Sequence, residues 1–440
     1  MVTPTNAVMT STLSRGLESA PRATSRRLAR SVGTATIETT LITMSACSIQ
    51  PAASSTSGVI DAAGIVVWRA TRAATSRHSL SSPPTTFQQG SADGRMHMME
   101  VSGVVAAYNS AKQLRILLES LRSSSVRLAE LCICDDASTD ETQEVLAEFA
   151  EELNIKVVRH PKNRGVTAAR NSALAAATSP YVFLMDADIR VPSDTLERLI
   201  ATMERTRADV VEGGYSDVAL DDDWFSGYYA LFVHHSFLVA DEPIEYNVLN
   251  AWCALCRAEV LHEVGGFGVI EQGVEIENEW LGRQIVGAGH RLVLDPSIHV
   301  DHHWGGYRKL RYIFTSRVYW WVKTFFASGM RFEKALTTAS YGVASLALPA
   351  AFASLPLVAF GPVWALVPAI GFATFLHGYS PFFRFALARR GAGYTLKCVA
   401  VSGYFSFFVT ASALWSTAEE LARRVTTGRF TLAREYGQSH

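Results

Sequence analysis

From residue 335 to residue 383 the chain carries no Asp, Glu, Lys or Arg. A soluble helix of ordinary length does not need so long an uncharged run. The stretch is long enough for two membrane-crossing helices of about 20 residues each, joined by a tight turn. The spacing places them near 336–357 and 362–383, with Phe360-Gly361-Pro362 at the turn. Pro349, Pro356 and Pro368 lie in or beside these spans, and membrane helices tolerate proline better than soluble ones. A third uncharged run covers 398–416. Charged residues make up 18% of the chain, below the usual quarter, and this region supplies part of the deficit. Arg308, Lys309, Arg311, Arg317, Lys323, Arg331 and Lys334 precede the first span, which predicts a cytoplasmic location for whatever precedes it. A hairpin returns Arg384, Arg389, Arg390 and Lys397 to the same side. The third run would carry Arg423 and Arg424 across, so it is either re-entrant or interfacial, or it breaks the positive-inside rule.

The rest of the chain has two different compositions. Residues 1–98 are rich in Ser, Thr, Ala and Arg. Glu18, Glu38, Asp61 and Asp93 are the acidic residues before Arg95, and no Lys occurs there. Such a segment buries too little apolar surface to offset its ordering entropy. It reads as a disordered or mis-started extension ahead of Met96, Met98 and Met99, with an organellar transit peptide as the alternative. Residues 99–305 alternate apolar runs with amphipathic ones. Strands are expected at 101–107, 131–134, 155–158 and 181–185, with helices at 110–121, 138–153, 167–177 and 192–205. Ser110 is the expected N-cap of the first helix, and Ser138 with Glu141 stands at capping-box spacing. This order predicts an α/β domain with a mostly parallel central sheet, whose ligands bind beyond the carboxyl ends of the strands. The segment 306–334 is basic and aromatic, suited to a membrane interface where cations such as Lys323 meet lipid phosphate. The expected organisation ends with membrane helices over 335–417 and a tail over 418–440.

Net charge is −1, with 40 Lys plus Arg against 41 Asp plus Glu, which argues against nucleic acid as a partner. Six cysteines exclude a disulfide-built scaffold, and Cys253-Ala-Leu-Cys256 lacks a second pair at zinc spacing. Cys132 and Cys134 read as packing positions in a strand, and His234-His235 as part of a surface or acceptor helix. The acidic strand ends carry the chemistry. Asp186-Ala187-Asp188 closes an apolar strand, so both carboxylates can face one hard cation, Mg²⁺ or Mn²⁺. Asp135-Asp136 closes another, where an aspartate can accept hydrogen bonds from a base or ribose.

The order of these motifs resembles the family 2 glycosyltransferases of the GT-A fold. Val101–Asn109 is similar to their opening strand with its Tyr-Asn, and Asp135–Asp140 to their Asp-Asp-Gly-Ser-Thr-Asp turn. Residues 163–171 resemble their Asn-x-Gly…Ala-Arg-Asn segment, Asp186–Asp188 their metal-binding Asp-x-Asp, and Gly265-Gly266-Phe267 the motif before their acceptor site. The resemblance implies a nucleotide-sugar-binding domain followed by C-terminal transmembrane helices. Ala106, Tyr108 and Asp136 would line the base pocket, Asp186 and Asp188 would hold metal and diphosphate, and Arg170 would face the phosphates. His302, in Asp301-His302-His303-Trp304, would join the metal or the donor phosphates. Family members invert the anomeric carbon using an acidic base from a Glu-Asp pair. Here the matching positions are Glu277-Asn278, and an asparagine cannot accept the proton. Glu277 is therefore the expected base and Glu279 the alternative, since residues two apart on a helix do not share a face. The implied protein is a multi-pass membrane enzyme with a cytoplasmic catalytic domain and a lipid or lipid-linked acceptor: a polyprenyl phosphate, a glycolipid or a lipid-linked glycan. The alternatives are a processive polysaccharide synthase, whose Gln-x-x-Arg-Trp is only partly echoed by 317–320, and a non-catalytic scaffold that has lost the base.

Overall fold

The computed structural model describes residues 99–268, 276–329 and 339–432, together with two short strands nearer the N-terminus. Those strands, β1 (Val59–Ile60) and β2 (Val66–Val67), pair antiparallel within a compact unit of their own. The rest of the N-terminal extension, with the disorder expected of it, lies outside the described residues.

The second unit opens with β3 (Val101–Ala107), α1 (Ala111–Arg122), β4 (Glu130–Asp135), α2 (Thr142–Phe149), β5 (Ile155–Arg159), α3 (Val166–Ala176) and β6 (Tyr181–Asp186). β5, β4, β3 and β6 lie side by side and all run parallel. Every residue of β4 is buried, as an uninterrupted apolar run becomes when helices cover both faces of a sheet. Leu114, Leu117, Leu118 and Leu121 form the buried stripe of α1 at helical spacing. Beyond β6 the sheet becomes mixed. There follow β7 (Ile189–Arg190), α4 (Thr195–Thr206), β8 (Val210–Ala219), α5 (Trp224–Phe237), β9 (Ile244–Glu245), β10 (Cys253–Arg257), α6 (Ala258–Glu263), α7 (Glu277–Gly287) and β11 (Leu292–His302). β10 inserts antiparallel between β6 and β8, and β8 runs parallel to β11. The chain winds outward from β3 through β4 to β5. It then crosses by α3 to β6 on the other flank of β3. The crevice at the carboxyl ends of β3 and β6 is thus the topological switch point, where open α/β sheets bind ligands.

Two caps differ from expectation. Ser110 holds the N-cap position of α1 without using its side chain, and Asp140 Oδ2 accepts from the Ala111 amide at 3.0 Å instead. Ser138 forms no capping box, because its Oγ accepts from the Asn109 amide at 2.9 Å. Both replacements tie the β3 turn to the β4 turn. They stiffen the edge where the acidic residues sit.

The placement of α7 depends on one glycine. A Cβ on Gly282 would meet Leu249 N at 2.5 Å and Asn247 O at 2.7 Å, both backbone atoms that cannot rotate away. Gly282→Ala should therefore push α7 off the 247–249 segment at a cost of about 1–3 kcal/mol. Thermal unfolding of the variant reads this as a lowered Tm, and an unchanged Tm would refute the close packing.

After the sheet come α8 (Gly306–Tyr312), a π-helical turn (Ile313–Arg317), α9 (Val318–Ala327), α10 (Ala339–Ser354) and α11 (Leu366–Thr427). Two 3₁₀ segments and Gly361, at φ 141°, make the turn between α10 and α11 where it was expected. Two apolar helical segments, Ala339–Phe360 and Pro362–Thr427, are long enough to cross a membrane, and only 22% and 28% of their most apolar windows is buried. A core helix of a soluble protein would be mostly buried, whereas Phe360, Ile370, Leu414 and Trp415 are exposed.

α11 kinks at Gly391, whose φ of 81° suits only a residue without a side chain. The third uncharged run follows this kink and lies alongside α8 and α9 in the same direction. Tyr404 meets Tyr307 at 2.7 Å, Ser412 donates to Thr315 O at 2.7 Å, and Ser416 donates to Tyr319 O at 2.8 Å. Lys323, read from sequence as facing lipid phosphate, is 1% exposed and donates to Glu420 Oε1 at 2.8 Å and Glu419 Oε1 at 3.1 Å. Charge this deep requires a partner, and two carboxylates supply it. Residues 418–427, expected to begin a tail, continue the helix for that reason.

α5 joins the domain to the apolar helices. It is buried on nearly every side, with Tyr228 bonded to Ser402 at 2.9 Å and Phe232 edge-on to Phe382. His234 and His235 are consequently not on a surface. His234 bonds Tyr215 O at 2.9 Å and His235 bonds Tyr341 OH at 3.1 Å.

Candidate active site

The β3–β6 register places Ala106 beside Asp186, and the β3–β4 register places it beside Cys134. Ala106 is half-buried at this edge, and Tyr108, two residues on, is half exposed. Asp135 is fully buried and structural, accepting from the Ser138 amide at 2.9 Å and facing Arg159 at 3.4 Å. Asp136 is 2% exposed, and both of its oxygens are engaged. They accept from the amides of Arg164 (2.9 and 3.0 Å) and Gly165 (2.8 Å) and bond His160 Nδ1 at 2.6 Å. It therefore anchors the 160–165 loop over the strand ends.

Asp188 and His302 come from distant parts of the sequence and meet because β7 pairs with β11. His302 is registered against Ile189, which brings its Nε2 to 3.3 Å from Asp188 Oδ1. Together with Asp186, all three offer ligand atoms within 4.8 Å of one another. Burial opposes the charged form of Asp188, but His302 and Lys309 outweigh it and hold the carboxyl below its ordinary value. Nδ1 of His302 is buried with no hydrogen-bond partner among the described residues, and Tyr215 and Trp304 flank the ring. Two carboxylates and an imidazole on one edge form a donor set suited to a divalent cation.

Arg170 is 5% exposed. It points away from solvent, into the gap between two acidic groups. Its Nη2 donates to Asp186 Oδ1 at 2.6 Å, and its Nη1 lies 3.5 Å from Glu277 Oε1. Its guanidinium lies over Phe267, 5.2 Å from the ring centre. Asn171 fixes that ring by exchanging two hydrogen bonds with the Phe267 backbone, at 2.7 and 2.9 Å. Two motifs that lie far apart in sequence thus form one unit, and Arg170 links the candidate metal ligand to the candidate base. A residue expected to face phosphate is here a bridge between carboxylates.

Glu277 and Glu279 begin α7. The helix argument separated them, yet both line the same cavity, together with Asn278 between them. Glu277 is buried against Arg170. The Glu279 carboxyl is pushed up to about 7 by burial and by the charge of Glu277, with Arg317 opposing. Asn278 directs its side-chain oxygen into a buried position with no partner among the described residues. Asn250, a further residue of this cavity, is clamped by Glu212: its amide donates to Oε2 at 2.6 Å and its Nδ2 to Oε1 at 2.8 Å. Glu212 was missed from sequence because it sits alone within a β-strand, with no motif around it.

Residues 102–265 match the family model described as "Glycosyl transferase family 2". Among curated proteins, the chain is 33% identical over 107 residues to the putative glycosyltransferase EpsH of Bacillus subtilis, covering 24% of this chain and 31% of that one. It is 26% identical over 210 residues to a pre-mycofactocin glycosyltransferase of Mycobacterium tuberculosis, covering 46% and 42%. It is 32% identical over 117 residues to the poly(ribitol-phosphate) beta-N-acetylglucosaminyltransferase TarS of Staphylococcus aureus, covering 26% and 20%. The chain spans less than half the length of each of these relatives. Among solved structures, a Pyrobaculum calidifontis mannosyltransferase in complex with GDP-Man and Mn²⁺ is 20% identical, with a TM-score of 0.43 over 75% of this chain and 88% of that one.

Proposed function

With residues 102–265 belonging to glycosyl transferase family 2, we propose that the protein transfers a sugar from a nucleotide sugar to an acceptor held at a membrane. The observation that carries this reading is the meeting of Asp186, Asp188 and His302 at the carboxyl edge of the sheet. These three residues would hold a divalent cation, Mg²⁺ or Mn²⁺. Such a cation neutralises the charge that develops on a departing diphosphate. Ala106 and Tyr108 stand where a nucleobase would enter the switch-point crevice. Asp136 supports that pocket by holding the 160–165 loop.

Of the two glutamates, Glu279 is the better proton acceptor, in place of the Glu277 expected from motif position. Both line the cavity, but Glu277 is paired with Arg170, whereas the Glu279 carboxyl is pushed up to about 7. A general base works best when its pKa lies near the operating pH. Attack from the face opposite the diphosphate would invert the anomeric carbon. The exposed apolar helices favour a membrane-embedded, multi-pass C-terminal part, and the basic residues ahead of α10 favour a cytoplasmic domain. The non-catalytic alternative draws on Asn278 standing where the family carries an acid, and the same experiment decides it. Purified full-length protein, given UDP- and GDP-sugars, should release nucleoside diphosphate with Mn²⁺ and not with EDTA. Asp188→Asn should cost about 3 kcal/mol of transition-state stabilisation, roughly a hundredfold in rate. Release that is indifferent to both would refute the reading.

A further inference from the structure

A cavity of about 360 Å³ lies between the globular domain and the apolar helices. Glu277, Glu279, Asn250 and Arg317 are polar groups of its lining. Most of the remainder is apolar: Phe232 comes from α5, Phe314 from the π-helical turn, Trp321 from α9, Leu346 from α10, and Val409 and Ala413 from α11, with Thr324, Ser345 and Thr417 among them. Its volume is that of an ordinary small-molecule site. Its walls include the same two helices that leave most of their apolar surface uncovered. The cavity therefore joins the candidate base to the surface that faces lipid.

We propose that this cavity holds the hydrocarbon chain of the acceptor, and that the accepting group is a lipid hydroxyl rather than a lipid phosphate. The proposal rests on the transferase reading and narrows its acceptor. Three observations carry it. The lining is mainly apolar, so a free sugar would leave most of its hydroxyls without partners there, at a substantial desolvation cost. A hydrocarbon chain has none to lose. The charged groups of the lining, Glu277, Glu279 and Arg317, lie together, and Glu277 reaches Arg170 at the catalytic edge, which gives an amphiphile a place for its head group. Finally, two carboxylates stand there. Arg170 and Arg317 offset their charge, so the need for a base is what distinguishes the two acceptors: a phosphate needs none to attack. A hydroxyl is neutral and does need one. In the step, the hydroxyl proton passes to a Glu279 carboxylate oxygen. The electron pair of the hydroxyl oxygen forms the bond to the anomeric carbon. The bond from that carbon to the diphosphate oxygen breaks, and its pair leaves with the nucleoside diphosphate.

The test uses full-length protein in phosphatidylcholine nanodiscs with labelled nucleotide sugar, scoring both sugar transfer and nucleotide release. Acceptors are alkyl glucosides from butyl to dodecyl below their micellar concentration, with farnesol and farnesyl phosphate as a matched pair. KM should fall about two- to fourfold per added methylene until the cavity is filled. Ala413→Trp and, at a second site, Val409→Trp should flatten that dependence, read as the KM ratio of short to long acceptors within each variant. Farnesol should outcompete farnesyl phosphate. Transfer independent of chain length, or nucleotide release with no transfer to any alkyl acceptor, overturns the cavity assignment while leaving the transferase reading in place. Preferred use of farnesyl phosphate overturns the hydroxyl assignment. Absence of nucleotide release from every donor overturns the transferase reading itself.

Discussion

Glu279→Gln should bind donor normally and lose transfer by about 10²–10⁴-fold, the range spanned by a positioned general base. Glutamine keeps the shape and hydrogen-bonding reach of the side chain but cannot take a proton. The wild-type enzyme should also show a pH signature. With its carboxyl near pH 7, the competent form is the deprotonated one. The rate should therefore climb about tenfold per pH unit below 7 and level off above it. The sign for stability runs the other way. A carboxyl whose folded pKa lies above the unfolded one favours the protonated fold, so it contributes stability at low pH that is lost as pH rises from about 4.5 towards 7. Activity and stability should then move in opposite directions across that window. Glu277→Gln should keep the limb but move it to lower pH, since the charge of Glu277 helps to raise Glu279, and should lower the plateau, since it disturbs Arg170. If the limb disappears with Glu277 and survives the loss of Glu279, the two roles are exchanged.

Much of the parallel half of the sheet was legible because strand and function coincide there. β3, β4 and β6 are apolar runs that end in acidic or aromatic groups, so a single pattern located both the strand and its ligand edge. The mixed half was not legible, for particular reasons. β8 runs Val-Val-Glu-Gly-Gly-Tyr, with a buried glutamate and two glycines that mask a strand. α5 is apolar on nearly every side and so has no periodicity to read. The caps were misread because Asp140 reaches α1 from a different turn, 29 residues away. Asp188 and His302 could be named from motif position, but their contact depends on β7 pairing with β11. Lys323 was read as lipid-facing because its two carboxylate partners lie almost a hundred residues downstream.

Arg170→Met should be the most damaging single change away from the metal ligands themselves. Arg170 touches both Asp186 and Glu277, and it is nearly sealed from water. Methionine fills much of the space and removes the charge, leaving two carboxylates to face one another in a largely buried gap. Removing one partner from a buried ion pair costs about 3–5 kcal/mol, because the remaining charge has neither water nor a counterion. Lysine does not restore the arrangement. Its single ammonium cannot place two donors in the fixed fork with which a guanidinium reaches two acids, nor stack on the Phe267 ring. Both variants should therefore melt earlier than wild type, with Arg170→Met the worse. Added Mn²⁺ should recover part of the loss in Arg170→Met, because a cation held by Asp186, Asp188 and His302 neutralises one side of the gap. It should recover no transfer, because Glu277 and the first turn of α7 would still lack their anchor. Thermal unfolding with and without Mn²⁺, set beside a transfer assay, separates the two effects. An Arg170→Met protein that melts like wild type and transfers sugar would mean that donor site and base are held independently, and the bridge between them would have to be given up.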